Sequence, residues 1–163
     1  MKSLLKATAI ITICVFLQAC SFFSDIVLVN ESDTTIEIEY EASLKNALAP
    51  MENPPFPESF VPKIMSFGKW DSTYKQADWT PLSPADYTAD MATGKFKLRL
   101  PPRTALKLTN INESVFYNDE RSRDFPIKMI YIRGLYGNMS FEGVQVYKQF
   151  AGKKDSKRYI SYK

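Results

Sequence analysis

Trp70, Tyr74, Trp79 and Tyr87 fall close together in the chain. Side chains of this kind offer flat π-faces with a polar edge, which suits them to stack on sugar rings or on a partner's side chains. The same rings also serve burial, since each covers about 150–250 Å² when it pins an irregular segment to a sheet. The rest of the chemical repertoire is narrow. The sequence has no histidine, so a Ser-His-Asp triad or a Cys-His pair cannot be built. The usual ligands of zinc, copper and haem are missing as well. No metal and no cofactor is expected. Catalysis would have to rest on a Ser-Lys arrangement or on two carboxylates about 5–10 Å apart, and no motif spacing marks either.

The two cysteines are Cys14 and Cys20. Lys2 and Lys6 precede an apolar run over residues 7–17, which is short for a membrane span. The run ends in Leu17-Gln18-Ala19-Cys20. These residues resemble the signal and lipobox of bacterial lipoproteins, a resemblance confined to residues 1–20. It implies that residues 1–19 are cleaved and that Cys20 becomes the first mature residue. Cys20 would carry a diacylglyceryl thioether, and usually an acyl chain on its amine. Each buried methylene contributes about 0.8 kcal/mol, so two or more chains hold stably to a bilayer. Ser21, rather than Asp, follows the cysteine. By the sorting rule of enterobacterial lipoproteins this implies the outer membrane when the source is Gram-negative. Residues 20–24 are then a lipidated tether and residues 25–163 a single domain. With Cys14 removed and Cys20 acylated, packing must stabilise that domain without a disulfide.

The formal net charge of the whole chain is +3, and Lys2 and Lys6 carry much of it away with the leader. A nucleic-acid binder normally needs a concentrated basic face, so no nucleic-acid partner is expected. The partners expected are the bilayer, through acylated Cys20, and an envelope protein of unknown identity.

The elements that would position any site read mainly as strands. Residues 25–30 form a short apolar run. Residues 35–42 alternate Ile36, Ile38, Tyr40 and Ala42 against Glu37, Glu39 and Glu41, the period of a half-buried strand. With the polar turn Glu31-Ser32-Asp33 between them, the two are expected to form a hairpin. Residues 95–100 alternate Phe96, Leu98 and Leu100 against Lys95, Lys97 and Arg99. Residues 105–109, 127–133, 139–142, 144–150 and 158–162 read as further strands, and residues 112–124 as loop. The basic face of residues 95–100 matches the acidic face of residues 35–42 in spacing. The two strands are therefore expected to neighbour each other and pair their charges across the ladder.

Residues 43–94 interrupt this order. Pro50, Pro54, Pro55, Pro57, Pro62, Pro81 and Pro84 block ladder hydrogen bonds. A short strand is expected over residues 64–67 and one or two helical turns over residues 84–91, after Ser83 and Pro84. The segment far exceeds an ordinary connection of about 4–6 residues. Its aromatic content predicts a folded insertion over one side or end of the domain, with Trp70 or Trp79 buried.

The whole reads as an all-β, Ig-like or transthyretin-like sandwich with a long Pro- and aromatic-rich insertion and little helix. The functional reading is a membrane-anchored envelope lipoprotein with a non-enzymatic sandwich that binds protein or is structural. The alternative is a glycan- or peptidoglycan-binding module using the Trp70–Trp79 region, with Tyr74 and Tyr87 on the same surface.

Overall fold

A computed structural model describes residues 23–43, 61–73, 78–90, 92–116, 122, 125–151 and 158–163. The signal segment, Cys20, Tyr74 and Pro50 to Pro57 lie outside the described residues. So does most of the charged run from Asp119 to Asp124.

The strands are β1 (Phe23–Asn30), β2 (Ile36–Ala42), β3 (Lys63–Ser66), β4 (Thr80–Pro81), β5 (Tyr87–Asp90), β6 (Lys95–Leu100), β7 (Thr104–Asn112), β8 (Ile127–Gly134), β9 (Gly137–Glu142) and β10 (Arg158–Tyr162). Among the described residues there are two α-helices, α1 (Phe67–Thr73) and α2 (Val144–Ala151), and a 3-10 turn at Glu113–Phe116. One sheet, A, has the order β10-β1-β7-β3-β4; the other, B, has the order β5-β6-β2-β8-β9. The protein is an all-β sandwich. β10 runs parallel to β1, and every other described pairing is antiparallel.

β2 and β6 are buried on alternate residues, as strands with one wet face must be. Their inward residues Ile36, Ile38, Tyr40, Phe96, Leu98 and Leu100 meet Ile26, Leu28, Leu106 and Leu108 of sheet A in the main core. β1 differs. Ile26 and Leu28 face this core, while Val27 and Val29 join a second cluster with Met65, Trp70, Trp79 and Ala105. A strand buried on both faces explains the unbroken run Ile26-Val27-Leu28-Val29. The insertion provides the second cover. Its β3 and β4 extend sheet A beyond β7, its α1 and Trp79 cover the outer side of that sheet, and its β5 forms an edge of sheet B. The expected burial of a tryptophan within the insertion is observed at both positions.

Three local expectations are corrected. β1 and β2 do not form a hairpin, because they belong to opposite sheets. The polar turn between them is a sheet-to-sheet corner built on buried Asn30. Its Nδ2 donates to the carbonyls of Thr34 (2.8 Å), Pro101 (2.9 Å) and Leu100 (3.2 Å), and its Oδ1 accepts from Ser32 Oγ (2.7 Å). Residues 144–150 are helix rather than strand. Val146, Tyr147 and Phe150 share one helical face and bury it against Phe116 and Phe125. Of the expected helix over residues 84–91, the described residues 84–90 form none. The Asp86 N–H closes one turn on the Ser83 carbonyl (2.9 Å), and the chain then pairs with β6 as β5.

Candidate functional site

Among the described residues, four places hold side chains that could act. The first is the aromatic set. Trp70 is 2% exposed and Trp79 7% exposed, so neither indole presents an open face to a sugar ring. Trp70 meets the edge of Tyr159 at 4.8 Å and lies 6.2 Å from Phe67. Tyr87 sits on the opposite sheet, half-buried, 6.5 Å from Phe96. Tyr74 lies outside the described residues. Trp70, Trp79 and Tyr87 are therefore not brought together as one surface.

The second place lies beneath Trp79. Asp25 on β1 and Lys107 on β7 point to the outer side of sheet A, where the insertion covers them. Lys107 Nζ stands 2.5 Å from Asp25 Oδ1, with side-chain exposures of 9% and 1%. Trp79 Nε1 donates to Asp25 Oδ2 at 3.1 Å, and the ammonium lies 5.9 Å from the indole centroid. A buried ion pair of this kind repays its desolvation only with good geometry and further hydrogen bonds. Sequence reading missed it because Lys107 alternates with inward Leu106 and Leu108, which predicts a wet lysine. The signal available was Asp25, an acid at the head of a fully apolar run.

The third place is the open face of sheet B. Glu37, Glu39 and Glu41 stand opposite Arg99, Lys97 and Lys95 in register, as the matched spacing predicts. Lys97 pairs with Glu39 at 3.1 Å and Arg99 with Glu37 at 3.5 Å. Glu41 pairs across the other neighbour, with Lys128 at 3.0 Å. A shallow concavity of about 390 Å³ beside β5 is lined by Glu37, Asp86, Tyr87, Thr88, Lys97 and Arg99. It is open, and its cations face acids of the same sheet. Such exposed pairs contribute about 0–1 kcal/mol each and leave little net charge to attract a ligand.

The fourth place is the tip of the β8–β9 hairpin. Leu135 and Tyr136 are 74% and 67% exposed, between Gly134 and Gly137. The tip is nonetheless fixed. Tyr162 Oη accepts the Tyr136 N–H at 3.1 Å and donates to the Gly137 carbonyl at 3.1 Å. A Cβ at Gly134 would collide with that tyrosyl ring, so the close approach requires glycine. The turn glycines were legible in the sequence. The two apolar residues they display were not singled out, although an apolar pair between turn glycines was the available signal.

The hairpin tip has a definite place. Asn30 pairs with Thr104 and with Tyr162, whereas Phe23 pairs with Asn112 at the other end of β1. The tip, held by Tyr162, therefore stands at the end of the sandwich far from Phe23. The separation is one strand length, about 25 Å for eight residues. Among the described residues no group of His, Cys, Asp and Glu is arranged to hold a metal ion. No helix among them is long and apolar enough to cross a membrane.

No protein-family model, curated protein or solved structure matches the chain.

Proposed function

We propose that the chain is an acylated envelope lipoprotein, tethered through Cys20, whose non-enzymatic sandwich binds another protein at the end remote from its tether. The observation that carries this reading is the exposed yet rigid pair Leu135–Tyr136, opposite the end where the chain emerges from its lipobox. Large apolar side chains in the open cost solubility and mark interaction sites when they are grouped. A preorganised tip also loses less conformational entropy on binding than a mobile loop. The lack of histidine supports a non-enzymatic role. Ser21 supports the outer membrane as the site of anchoring in a Gram-negative source. In this reading Trp70 and Trp79 serve the fold, and the glycan-binding alternative gains no supporting observation.

Two measurements test the proposal. Metabolic labelling with a fatty-acid probe should mark the wild-type chain and leave Cys20→Ala unlabelled and unprocessed; label retained on Cys20→Ala refutes the anchor. A photoreactive residue at position 136, in intact envelope, should cross-link to one other protein. Replacing Leu135 by Asp should suppress that product without lowering the unfolding temperature. A position-136 probe that yields no protein adduct refutes the binding role.

A further inference from the structure

The outer edge of β9 lies beside the exposed tip. β9 runs six residues, with no proline and no lysine, in unbroken register with β8. No described strand pairs with its other side. The remaining sheet edges are shorter: β4 has two residues and ends in Pro81, β5 has four residues, and β10 has five, buried at alternate positions. Natural proteins normally blunt a long open edge with proline, lysine or a bulge, and β9 carries none of these.

The direction of its backbone groups follows from one bond. The Gly143 N–H donates to the Lys128 carbonyl at 2.8 Å, one step beyond the Met129–Glu142 pair. In an antiparallel ladder bonded and non-bonded pairs alternate. Gly137, Met139 and Phe141 therefore bond to β8, while Asn138, Ser140 and Glu142 turn their N–H and C=O groups outward. Among the described residues the exposed large apolar ones are Phe23, Leu135, Tyr136 and Val144. Three of them bracket this edge, with Leu135 and Tyr136 at one end and Val144 just past the other.

We infer that β9 accepts an extended segment of another protein as an added strand of sheet B, gripped at its ends by Leu135–Tyr136 and by Val144. This rests on the tethered, protein-binding reading above and names the kind of partner. Main-chain bonds to Asn138, Ser140 and Glu142 supply affinity, and the side chains of alternate residues supply specificity. On the inner face the added strand meets half-buried Met139 and Phe141, which selects apolar residues at every second position. On the outer face it meets Asn138, Ser140 and Glu142, which select polar residues, with a cation favoured opposite Glu142. A second copy of the chain does not suit the edge. Two-fold antiparallel pairing of β9 with itself inverts one copy and places its Phe23 end, and hence its tether, on the side away from the membrane.

The test uses the full-length acylated protein in its own membrane, with a photoreactive residue at Asn138 and a control probe at Lys97 on the sheet face. Position 138 should cross-link to one short segment of a single other protein, and position 97 should not. Ser140→Pro removes an outward N–H and spares the ladder to β8. It should lower the position-138 product roughly tenfold while the unfolding temperature holds. If that variant melts early, Ser140→Lys, a charged edge blocker, takes its place. Adducts at 138 to a second copy, to lipid, or to scattered sites overturn the inference, as does a product insensitive to both substitutions. Product from position 136 but none from 138 overturns the edge while leaving the tip as a binding point. Loss of both overturns the proposed function as well.

Discussion

Replacing Lys107 by Met removes the ammonium that stands 2.5 Å from the Asp25 carboxylate, at a site where both side chains are almost wholly covered. Methionine keeps the length and apolar stem of lysine, so packing against Trp79 changes little and the electrostatic loss is isolated. The carboxylate retains the Trp79 indole N–H at 3.1 Å, but a neutral donor does not replace a facing cation. Removing one member of a buried pair costs about 3–5 kcal/mol, a large part of the roughly 5–15 kcal/mol that holds a domain folded. The melting temperature should fall by roughly 10–20 °C. Replacing both partners, Asp25→Leu with Lys107→Met, removes the charge that the single variant strands. The double variant should lie within about 1–2 kcal/mol of wild type. Urea denaturation of the wild type, both single variants and the double variant gives the coupling energy directly. A Lys107→Met loss below about 1 kcal/mol, or a double variant as unstable as the single, refutes the reasoning.

Trp70→Ala should destabilise by about 3–5 kcal/mol, because the ring is 2% exposed against Tyr159 and Phe67; an unchanged denaturation midpoint would refute its structural role. Tyr40 has a buried hydroxyl with no hydrogen-bond partner among the described residues, and burial, then the nearby Tyr87, pushes its pKa far up. Tyr40→Phe keeps the parallel stack on Phe96 at 4.7 Å and should be neutral or stabilising by up to about 1 kcal/mol; a clear loss of stability would show that the hydroxyl is bonded. The Asp90 carboxyl is held below its ordinary range by the Thr93 hydroxyl and then by the Ala92 and Thr93 N–H groups. It therefore favours the folded state above the unfolded value of about 3.9, and that contribution is lost as pH falls through the lower folded value. NMR titration should find Asp90 ionising below an ordinary aspartate and Thr93→Ala moving it up; an Asp90 titration unaffected by Thr93→Ala contradicts the turn geometry.

Much of sheet B was legible because β2, β6 and β8 each have one wet face. Their alternation fixes the inward residues, and the matched charges of Glu37, Glu39 and Glu41 with Arg99, Lys97 and Lys95 give the register. What failed depended on contacts distant in sequence. The turn at residues 31–35 has hairpin composition, yet Asn30 bonds to Leu100 and Pro101 and sends the chain to the other sheet. α2 begins with β-branched Val144 and Val146, which favour strand locally. Its helical period gains meaning only once Phe116 and Phe125 supply a surface to pack against. Lys107 looked solvated because the cover over it comes from Trp79, brought there by β3 pairing with β7 and β4 with β3.

The length and aromatic content of the insertion exceed what a connection needs. The structure gives those features a different cause. Sheet A has apolar residues on both faces of β1, and Val27 and Val29 on its outer face leave water only if something covers them. β3 adds a strand to the sheet, α1 brings Trp70 down onto Val27 and Val29, and Trp79 closes over Asp25 and Lys107. Sheet B needs no such cover, because its outer face neutralises itself across the ladder. That leaves the two sheets unequal. Sheet A has its outer face closed by its own chain. On sheet B the open feature is the β9 edge, whose apolar bracket of Leu135, Tyr136 and Val144 has no counterpart in its core. Trp70 and Trp79, which invite a binding hypothesis from sequence, are thus spent on folding, and the exposed pair proposed for binding is one that sequence patterning reads as an ordinary turn.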